Sequence, residues 1–574
     1  MTSLKDRQLS RDDVEDMIAR GQHVVVWHDR VLRLDSWLEF HPGGYKVVEH
    51  MVGRDATQEI EVHHSDETLL KAQNYIIGKI ELPWDNFRPP VQGGFFRTKA
   101  QMAITDEEEQ KTIELVSPHR LQKNHKVSLY EFYRLPREAD DSLDVEFESV
   151  TERIIEQYDR NLLKKDRESF PPCDHQTQDA IVERFNQLHK LVQEKGLFQC
   201  NYWGYFREFC RISTLLVVSY YTFQKHWLFV SAVCLGLAWH QMTFIAHDAG
   251  HQAITHWYQV DNLIGTIVAD FCGGLSLGWW KRNHNVHHII TNDPVHDPDI
   301  QHLPFFAVST RLFGDVFSTY YERFLAFDIV AKYMIRVQNY TYYLILCFGR
   351  FNLYRLSLEY VLLGQGPRKG RSAWFRYLEL VGLGFFIYWF FYLVVACSIH
   401  SAGERWMYVM VSHIVTMPVH VQITLSHFAM STSDLGLDES FPQRQLRTTM
   451  DVDCPAWFDY VHGGLQFQAI HHLFPRMPRH NFRKAQPYVI DFCKDVGLEY
   501  TIYGFHKGNM HVIDKLAEIA HQASILADCT GHLQQESFEF MVGKAADVNK
   551  SLQDAVISQK RHQFDIEMSN RVRL

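Results

Sequence analysis

The chain has 574 residues, a formal net charge of -10, and a composition that is 46% hydrophobic and 14% aromatic. This length accommodates two or three domains, and the acidic balance gives no basis for nucleic-acid binding. Ten cysteines occur without a CxxC pair or a regular spacing; this argues against a zinc ribbon or a disulfide framework and for reduced, mostly buried thiols.

The N-terminal stretch MTSLKDRQLSRDDVEDMIAR has no apolar core. No signal peptide is expected, and membrane targeting falls to internal spans. Residues 8–83 read as a small separate domain, with a polar helix-like start, the apolar strand Val24-Val25-Val26-Trp27, then His41-Pro42-Gly43-Gly44 and short amphipathic pieces. Residues 84–200 read as a charged, partly helical connector, punctuated by Arg88-Pro89-Pro90 and Pro171-Pro172. A helix is predicted where Ile181, Phe185, Leu188 and Leu191/Val192 line one face and Gly196 follows as a stop.

The mean hydropathy of -0.23 averages polar ends with apolar middles. Within residues 201–500, four segments are apolar enough to span a bilayer, at about 208–224, 227–246, 375–397 and 405–427. Only Gln224-Lys225-His226 separates the first pair and a short polar link the second, so each pair reads as a hairpin. Leu263 to Trp280 is a fifth candidate, but it holds Asp270 and a Gly-Gly pair, and histidine clusters flank it. Were it to span, those clusters would face opposite sides; it is therefore read as interfacial or re-entrant and buried against protein. Tyr340 to Leu363, with Arg350 and Arg355 among its aromatics, also reads as interfacial. Arg207, Arg211, Arg371 and Arg376 precede the first and third spans and favour a cytosolic histidine face, with Lys225 and Arg405 opposing. Residues 501–574 read as a cytosolic helical tail.

Three histidine clusters lie next to these apolar segments: His247-Asp-Ala-Gly-His251, His284-Asn-Val-His287-His288 and Gln468-Ala-Ile-His471-His472, with His427 a little upstream of the third. His247 and His251 are four residues apart at the end of a predicted helix, so their imidazoles project toward one point. The adjacent pairs His287/His288 and His471/His472 point apart, which suits two metal atoms rather than one. Nitrogen-rich, thiolate-poor coordination beside a membrane fits redox-active iron, while ligand type alone leaves copper and zinc open. His413, His420 and His427 recur every seven residues on the fourth span. The stripe reads either as a polar path toward a substrate tunnel or as interhelical hydrogen bonding, the latter favoured for His413 and His420. His240 is read the same way. His256, His296, His302, His462 and His480 are assigned to loops or to supporting positions, and Asp248 and Asp270 are candidates to orient ligand histidines.

In their order HxxxH, HxxHH and QxxHH, the three clusters resemble the histidine boxes of the membrane fatty acid desaturase family. Trp279-Trp280-Lys281-Arg282-Asn283 before the second and Leu473-Phe474-Pro475-Arg476 after the third extend the likeness. The third-box glutamine marks the front-end group, which carries a fused N-terminal cytochrome b5 domain. The resemblance implies that His247, His251, His284, His287, His288, His471 and His472 bind two non-haem irons and are catalytic. It adds His427 as an extra ligand and leaves Gln468 in a supporting position. Alanine and isoleucine inside the third box depart from the polar residues more usual there.

His41-Pro-Gly-Gly44, Gly53-Arg-Asp-Ala-Thr57 and His63-His64-Ser65 resemble cytochrome b5. That likeness implies a haem b clamped by His41 and His64, with His63 the less favoured second ligand. Two axial histidines leave no open position, so such a haem carries electrons. The implied fold class is an α-helical integral membrane domain, four spans in two hairpins with interfacial helices and a cytosolic histidine-box cap, preceded by an α+β cytochrome b5 domain.

The implied activity is O2-dependent desaturation of a lipid in the bilayer, with electrons from an NADH-dependent cytochrome b5 reductase. A multi-pass protein is implied, in the endoplasmic reticulum, with boxes and haem facing the cytosol. Overall length, the long connector, HDAGH and His296-Asp-Pro-Asp-Ile-Gln-His302-Leu-Pro-Phe-Phe306 resemble the fungal subgroup that acts at the Δ8 position of the sphingoid base of ceramides. A front-end acyl-lipid Δ6 or Δ5 desaturase, a b5-fused lipid hydroxylase and a non-catalytic membrane haem carrier stay open as alternatives.

Overall fold

The computed structural model describes residues 4–103 and 150–544. The middle of the connector and the tail beyond residue 544 lie outside the described residues.

The N-terminal unit is built on a three-stranded antiparallel sheet of β1 (Val24–Trp27), β2 (Arg30–Arg33) and β3 (Ile76–Lys79), in that order. β1 is a run of β-branched residues ending in tryptophan, and all four residues are buried. Before it, helix Arg11–Ala19 starts with a reciprocal capping box between Ser10 and Asp13. Val14 and Ile18 of that helix pack with Val24, Val26, Val31 and Val52 into one core. Trp84 and Phe87 lie past the expected boundary at residue 83 but close this same core; the Trp84 indole donates to the Gly53 carbonyl at 3.0 Å.

The rest of the described chain is predominantly helical. Three helical segments are long and apolar enough to cross a membrane: Leu228–Gly250, Gly370–Ser398 and Ala402–Leu425. Tyr258–Cys272 and Leu277–Ile289 together make a fourth candidate, but they meet at 117°. This bend falls inside the segment read as interfacial or re-entrant. The expected first span lies in helix Tyr202–Gln224, whose Arg207, Glu208 and Arg211 set it apart from the three. It packs on Leu228–Gly250 through a hydrogen bond from Ser219 Oγ to the Ser231 carbonyl at 2.8 Å. Its outward face, with Trp203, Phe209 and Tyr220 each more than half exposed, is apolar in a way that water does not favour and lipid does.

The expected fourth span is not one continuous helix. It breaks between Ala402–Ile414 and Met417–Leu425, where Pro418 cannot donate to the preceding turn. The seven-residue histidine stripe is therefore split: His413 precedes the break, His420 follows it, and His427 lies in the turn beyond the helix end.

The connector is packed rather than free where it is described. Asp174 caps helix His175–Glu194, and Ile181, Phe185, Leu188 and Val192 bury against Phe441, Phe474 and Phe492. Helix Val150–Ser169 contributes Ile155 and Tyr158 to a cluster with Ile519 and Leu526 of the long helix Phe505–Lys544. A parallel strand pair, Asp451–Asp453 with Ile502–Gly504, sits beside the third histidine cluster. Asp451 Oδ1 accepts from the Ala469 N–H at 2.8 Å and so holds the start of the helix that carries the cluster.

Candidate metal centre and haem pocket

Four chain segments deliver the eight histidines to one place. His247 lies in the last turn of helix Leu228–Gly250, and His251 is its C-cap residue. His284, His287 and His288 ride on helix Leu277–Ile289, which Ser276 caps by accepting from the Trp279 N–H. His471 and His472 belong to the short helix Gln468–Leu473, and His427 follows helix Met417–Leu425. Gly250 inside the first cluster lets two of these helices touch: a Cβ there would lie 2.0 Å from the Trp280 ring, which itself stacks on His284 with 4.6 Å between centroids.

The imidazoles sort into two nests. Ligand atoms of His247, His251, His284 and His471 lie within 4.8 Å of one another, and so do those of His287, His427 and His472. Two metal–nitrogen bonds of about 2 Å each span close to that distance. His288 stands between the nests, stacked on His472 at 4.2 Å and 4.8 Å from His251, with its Nε2 3.1 Å from His284 Nε2. Buried nitrogens of His247, His251, His288 and His471 have no hydrogen-bond partner among the described residues. Buried, unpartnered lone pairs gathered at this spacing fit cations.

The outer ring of contacts sets the tautomers. His287 Nδ1 donates to Asp297 Oδ2 at 2.7 Å, His284 Nδ1 to Asp299 Oδ2 at 3.2 Å, His472 Nδ1 to Gln445 Oε1 at 2.8 Å and His427 Nδ1 to the Thr448 carbonyl at 3.3 Å. Each bond commits the proton to Nδ1 and leaves Nε2 as a bare lone pair facing the nest. Burial, reinforced by neighbouring imidazoles, holds His251, His427, His471 and His472 well below the ordinary histidine range, hence neutral. Asp299 is held low: burial raises it, but His287 and His284 beside it outweigh that.

Sequence reasoning did not assign Asp297, Asp299 or Gln445 to this ring. The signal available was the pair of acids in His296-Asp-Pro-Asp299, shortly after the second cluster. It did nominate Asp270, and the structure corrects this. Asp270 accepts from the Leu277 N–H at 3.2 Å and neighbours Glu379, and it bonds to no candidate ligand among the described residues. Asp248 approaches His247 Nδ1 only to 3.8 Å and is engaged instead by Tyr205 and Arg479. Gln468 lines the second nest directly, its amide nitrogen 3.2 Å from His427 Nε2 and 3.3 Å from His472 Nε2.

The remaining histidines take supporting contacts. His413 bonds to the Val409 carbonyl and to Tyr354 on a neighbouring helix, as the interhelical reading expects. His240 packs edge-on against Phe244, and His420 sits against Gly349. His256 bonds to the Phe198 carbonyl, His296 to Thr319, His462 to Gln422 and His480 to Glu208, while His302 packs on Phe428.

In the N-terminal unit, His41 and His64 face each other with ring centroids 6.0 Å apart. Two axial bonds of about 2 Å on opposite sides of one iron, with the half-width of each ring added, would give a centroid separation of that order. His41 Nδ1 donates to the Gly44 carbonyl at 2.7 Å and His64 Nδ1 to the Ile60 carbonyl at 2.8 Å, so both Nε2 lone pairs are free. Burial pushes His64 down to about 3 and lowers His41. The pair fits a haem. His63, bonded to the Glu59 carbonyl at 2.8 Å, turns away toward the metal nests.

Comparison with known proteins follows the same division of the chain. Residues 225–504 match the fatty acid desaturase family, and residues 10–81 match the cytochrome b5-like heme/steroid binding domain. A Delta 8-(E)-sphingolipid desaturase of Kluyveromyces lactis is 52% identical across 97% of this chain and 100% of its own length. The chain belongs to the fatty acid desaturase family.

A second Delta 8-(E)-sphingolipid desaturase, from Lachancea kluyveri, is 53% identical across 93% of this desaturase and 96% of its own length. Further away, an acyl-lipid (9-3)-desaturase of Borago officinalis is 37% identical and matches 60% of this chain and 77% of its own. Membership makes the chain a membrane oxidoreductase that uses iron and O2 on lipid, and the b5-like domain makes it a haem protein with b5-type electron transfer.

Proposed function

We propose that this desaturase introduces a double bond at the Δ8 position of the sphingoid base of ceramides. The observation that carries the reading is near-full-length similarity: the two fungal relatives cover 97% and 93% of this chain, and 100% and 96% of their own lengths. The borage acyl-lipid enzyme shares a smaller part of the chain. The "(E)" in the fungal names points to a trans product.

His247, His251, His284 and His471 would hold one iron and His287, His427 and His472 the second, with His288 between them. Together the irons would supply the oxygen-activating power needed to remove two hydrogens from adjacent, unactivated methylenes. The chain's own residues do the rest. Asp297, Asp299 and Gln445 fix imidazole tautomers and keep the lone pairs pointed inward. The buried nests exclude bulk water, and packing must bring one C–C pair to them, because methylenes offer no polar handle. His41 and His64 would clamp the haem that relays electrons from an NADH-dependent reductase. Four spans in two hairpins, Tyr202–Gln224 with Leu228–Gly250 and Gly370–Ser398 with Ala402–Leu425, would hold the boxes and the haem unit on the cytosolic face of the endoplasmic reticulum.

Expression in a yeast lacking Δ8-unsaturated bases and front-end fatty acids, with mass spectrometry of both lipid classes, tests the reading. New Δ8-unsaturated long-chain bases are expected. Unsaturation confined to fatty acids, or a hydroxylated product, would overturn it.

A further inference from the structure

The N-terminal domain is docked directly on the second histidine cluster. Lys46 donates to the Thr319 carbonyl at 3.0 Å and to Glu322 at 2.5 Å, and Arg54 and Asn86 both donate to the Leu437 carbonyl. Val47, Val48 and Met51 share a core with Val286 and Tyr320 of the desaturase domain. Asn285, inside the second cluster, donates to the Gly43 carbonyl at 3.4 Å. A Cβ on Gly43 would lie 3.1 Å from the Asn285 amide and 3.0 Å from the His41 ring, so the first glycine of the His41-Pro-Gly-Gly44 loop is also what admits the metal-bearing helix.

His63 stands between the two sites. It is the covalent neighbour of His64, and its Nδ1 is tied to the Glu59 carbonyl. Its Nε2 is buried and has no hydrogen-bond partner among the described residues. The ring meets His288 edge to face, with centroids 5.8 Å apart and planes at 80°. His288 in turn touches members of both nests. His63 belongs to neither group of candidate ligand atoms.

We propose that His63 is the bridge through which electrons pass from the haem to the metal pair, a positioning residue that joins the two centres without binding either. The inference rests on the haem and iron assignments above. With both groups bound, each transfer would move one electron from a ferrous haem iron to a ferric iron of the pair, and no bond or proton on His63 would change. The path runs from the His64 ring through one peptide link into the His63 ring, and from there by direct contact into His288. An aromatic ring fills the gap that water or an aliphatic side chain would otherwise occupy.

The test is stopped-flow reoxidation of the haem in the full-length, iron-loaded protein, reduced beforehand and mixed with O2 and lipid. Haem absorbance reports the rate whichever lipid is desaturated. His63→Leu is expected to keep the low-spin haem spectrum and two non-haem irons while slowing reoxidation roughly tenfold or more. Should that variant fail to fold, His63→Gln, which retains a donor for the Glu59 carbonyl but no ring, is read by the same criteria. An unchanged rate overturns the bridge. Loss of non-haem iron also overturns it, because His63 would then be a ligand. Wild-type haem that reoxidises equally fast with iron removed refutes the metal assignment beneath the proposal rather than the role of His63.

Discussion

Replacing Asp297 with asparagine probes the metal site through a residue expected to touch no metal. Asp297 is fully buried, and its carboxylate accepts three hydrogen bonds: from His287 Nδ1 at 2.7 Å and the Asn292 N–H at 2.7 Å on Oδ2, and from the Asp299 N–H at 2.8 Å on Oδ1. A carboxylate only accepts, whereas asparagine offers one oxygen and an amide that only donates. In either orientation the amide faces at least one of these donors. The two backbone groups cannot change, but His287 can move its proton to Nε2, the nitrogen expected to face the second iron. Losing a charge-assisted hydrogen bond costs about 1.5–3 kcal/mol, matching the roughly 10–100-fold fall in metal affinity expected when such an outer contact is removed. The assay is a chelator titration of purified Asp297→Asn protein, with non-haem iron per chain read against haem absorbance as internal standard. Iron should leave at a chelator concentration about 10–100-fold lower than for wild type. Two irons retained with an unshifted midpoint would refute the tautomer argument.

Other expectations follow from the same geometry. His251→Ala should abolish the unsaturated product and leave the haem spectrum intact, whereas His41→Ala should remove the spectrum; turnover in the first variant would count against the iron assignment. Arg447 and Glu439 form a bidentate pair at 2.7 and 2.9 Å, each side chain 1% exposed. Arg447→Met leaves the carboxylate buried alone and should cost about 3–5 kcal/mol, seen as a lower Tm in detergent; an unchanged Tm would sink the claim. Burial raises Asp451 to about 7, against the Tyr500 and Ala469 bonds that lower it. With a folded value above the unfolded one, its contribution is complete below about pH 4 and lost as pH rises through 7. Asp451→Asn cannot titrate, so the decline of Tm across that window should flatten; an unchanged slope would show that Asp451 does not carry it.

Much of the site was legible because its chemistry is local. A spacing of four residues on a helix puts His247 and His251 on one face wherever the helix lies, and adjacent histidines must diverge. The apolar runs likewise declare themselves by length. The broken fourth span was less legible: Pro418 lies within an apolar run, and hydropathy does not register a missing N–H. Asp270 was misassigned because a buried acid near histidines looks like an orienting group, whereas its actual partner, the Leu277 N–H, lies beyond a bend of 117°.

By itself the sequence determined which side chains are available as ligands and which of them share a face, because bond geometry and helical period act within a few residues. Tertiary structure alone decided which atoms orient those ligands and how the two redox units meet. Gln445 joins the second cluster to the third by donating to the His288 carbonyl and accepting from His472, and His63 reaches His288 from another domain. Contacts between residues so far apart in the chain depend on how finished elements pack, and no short-range pattern encodes them.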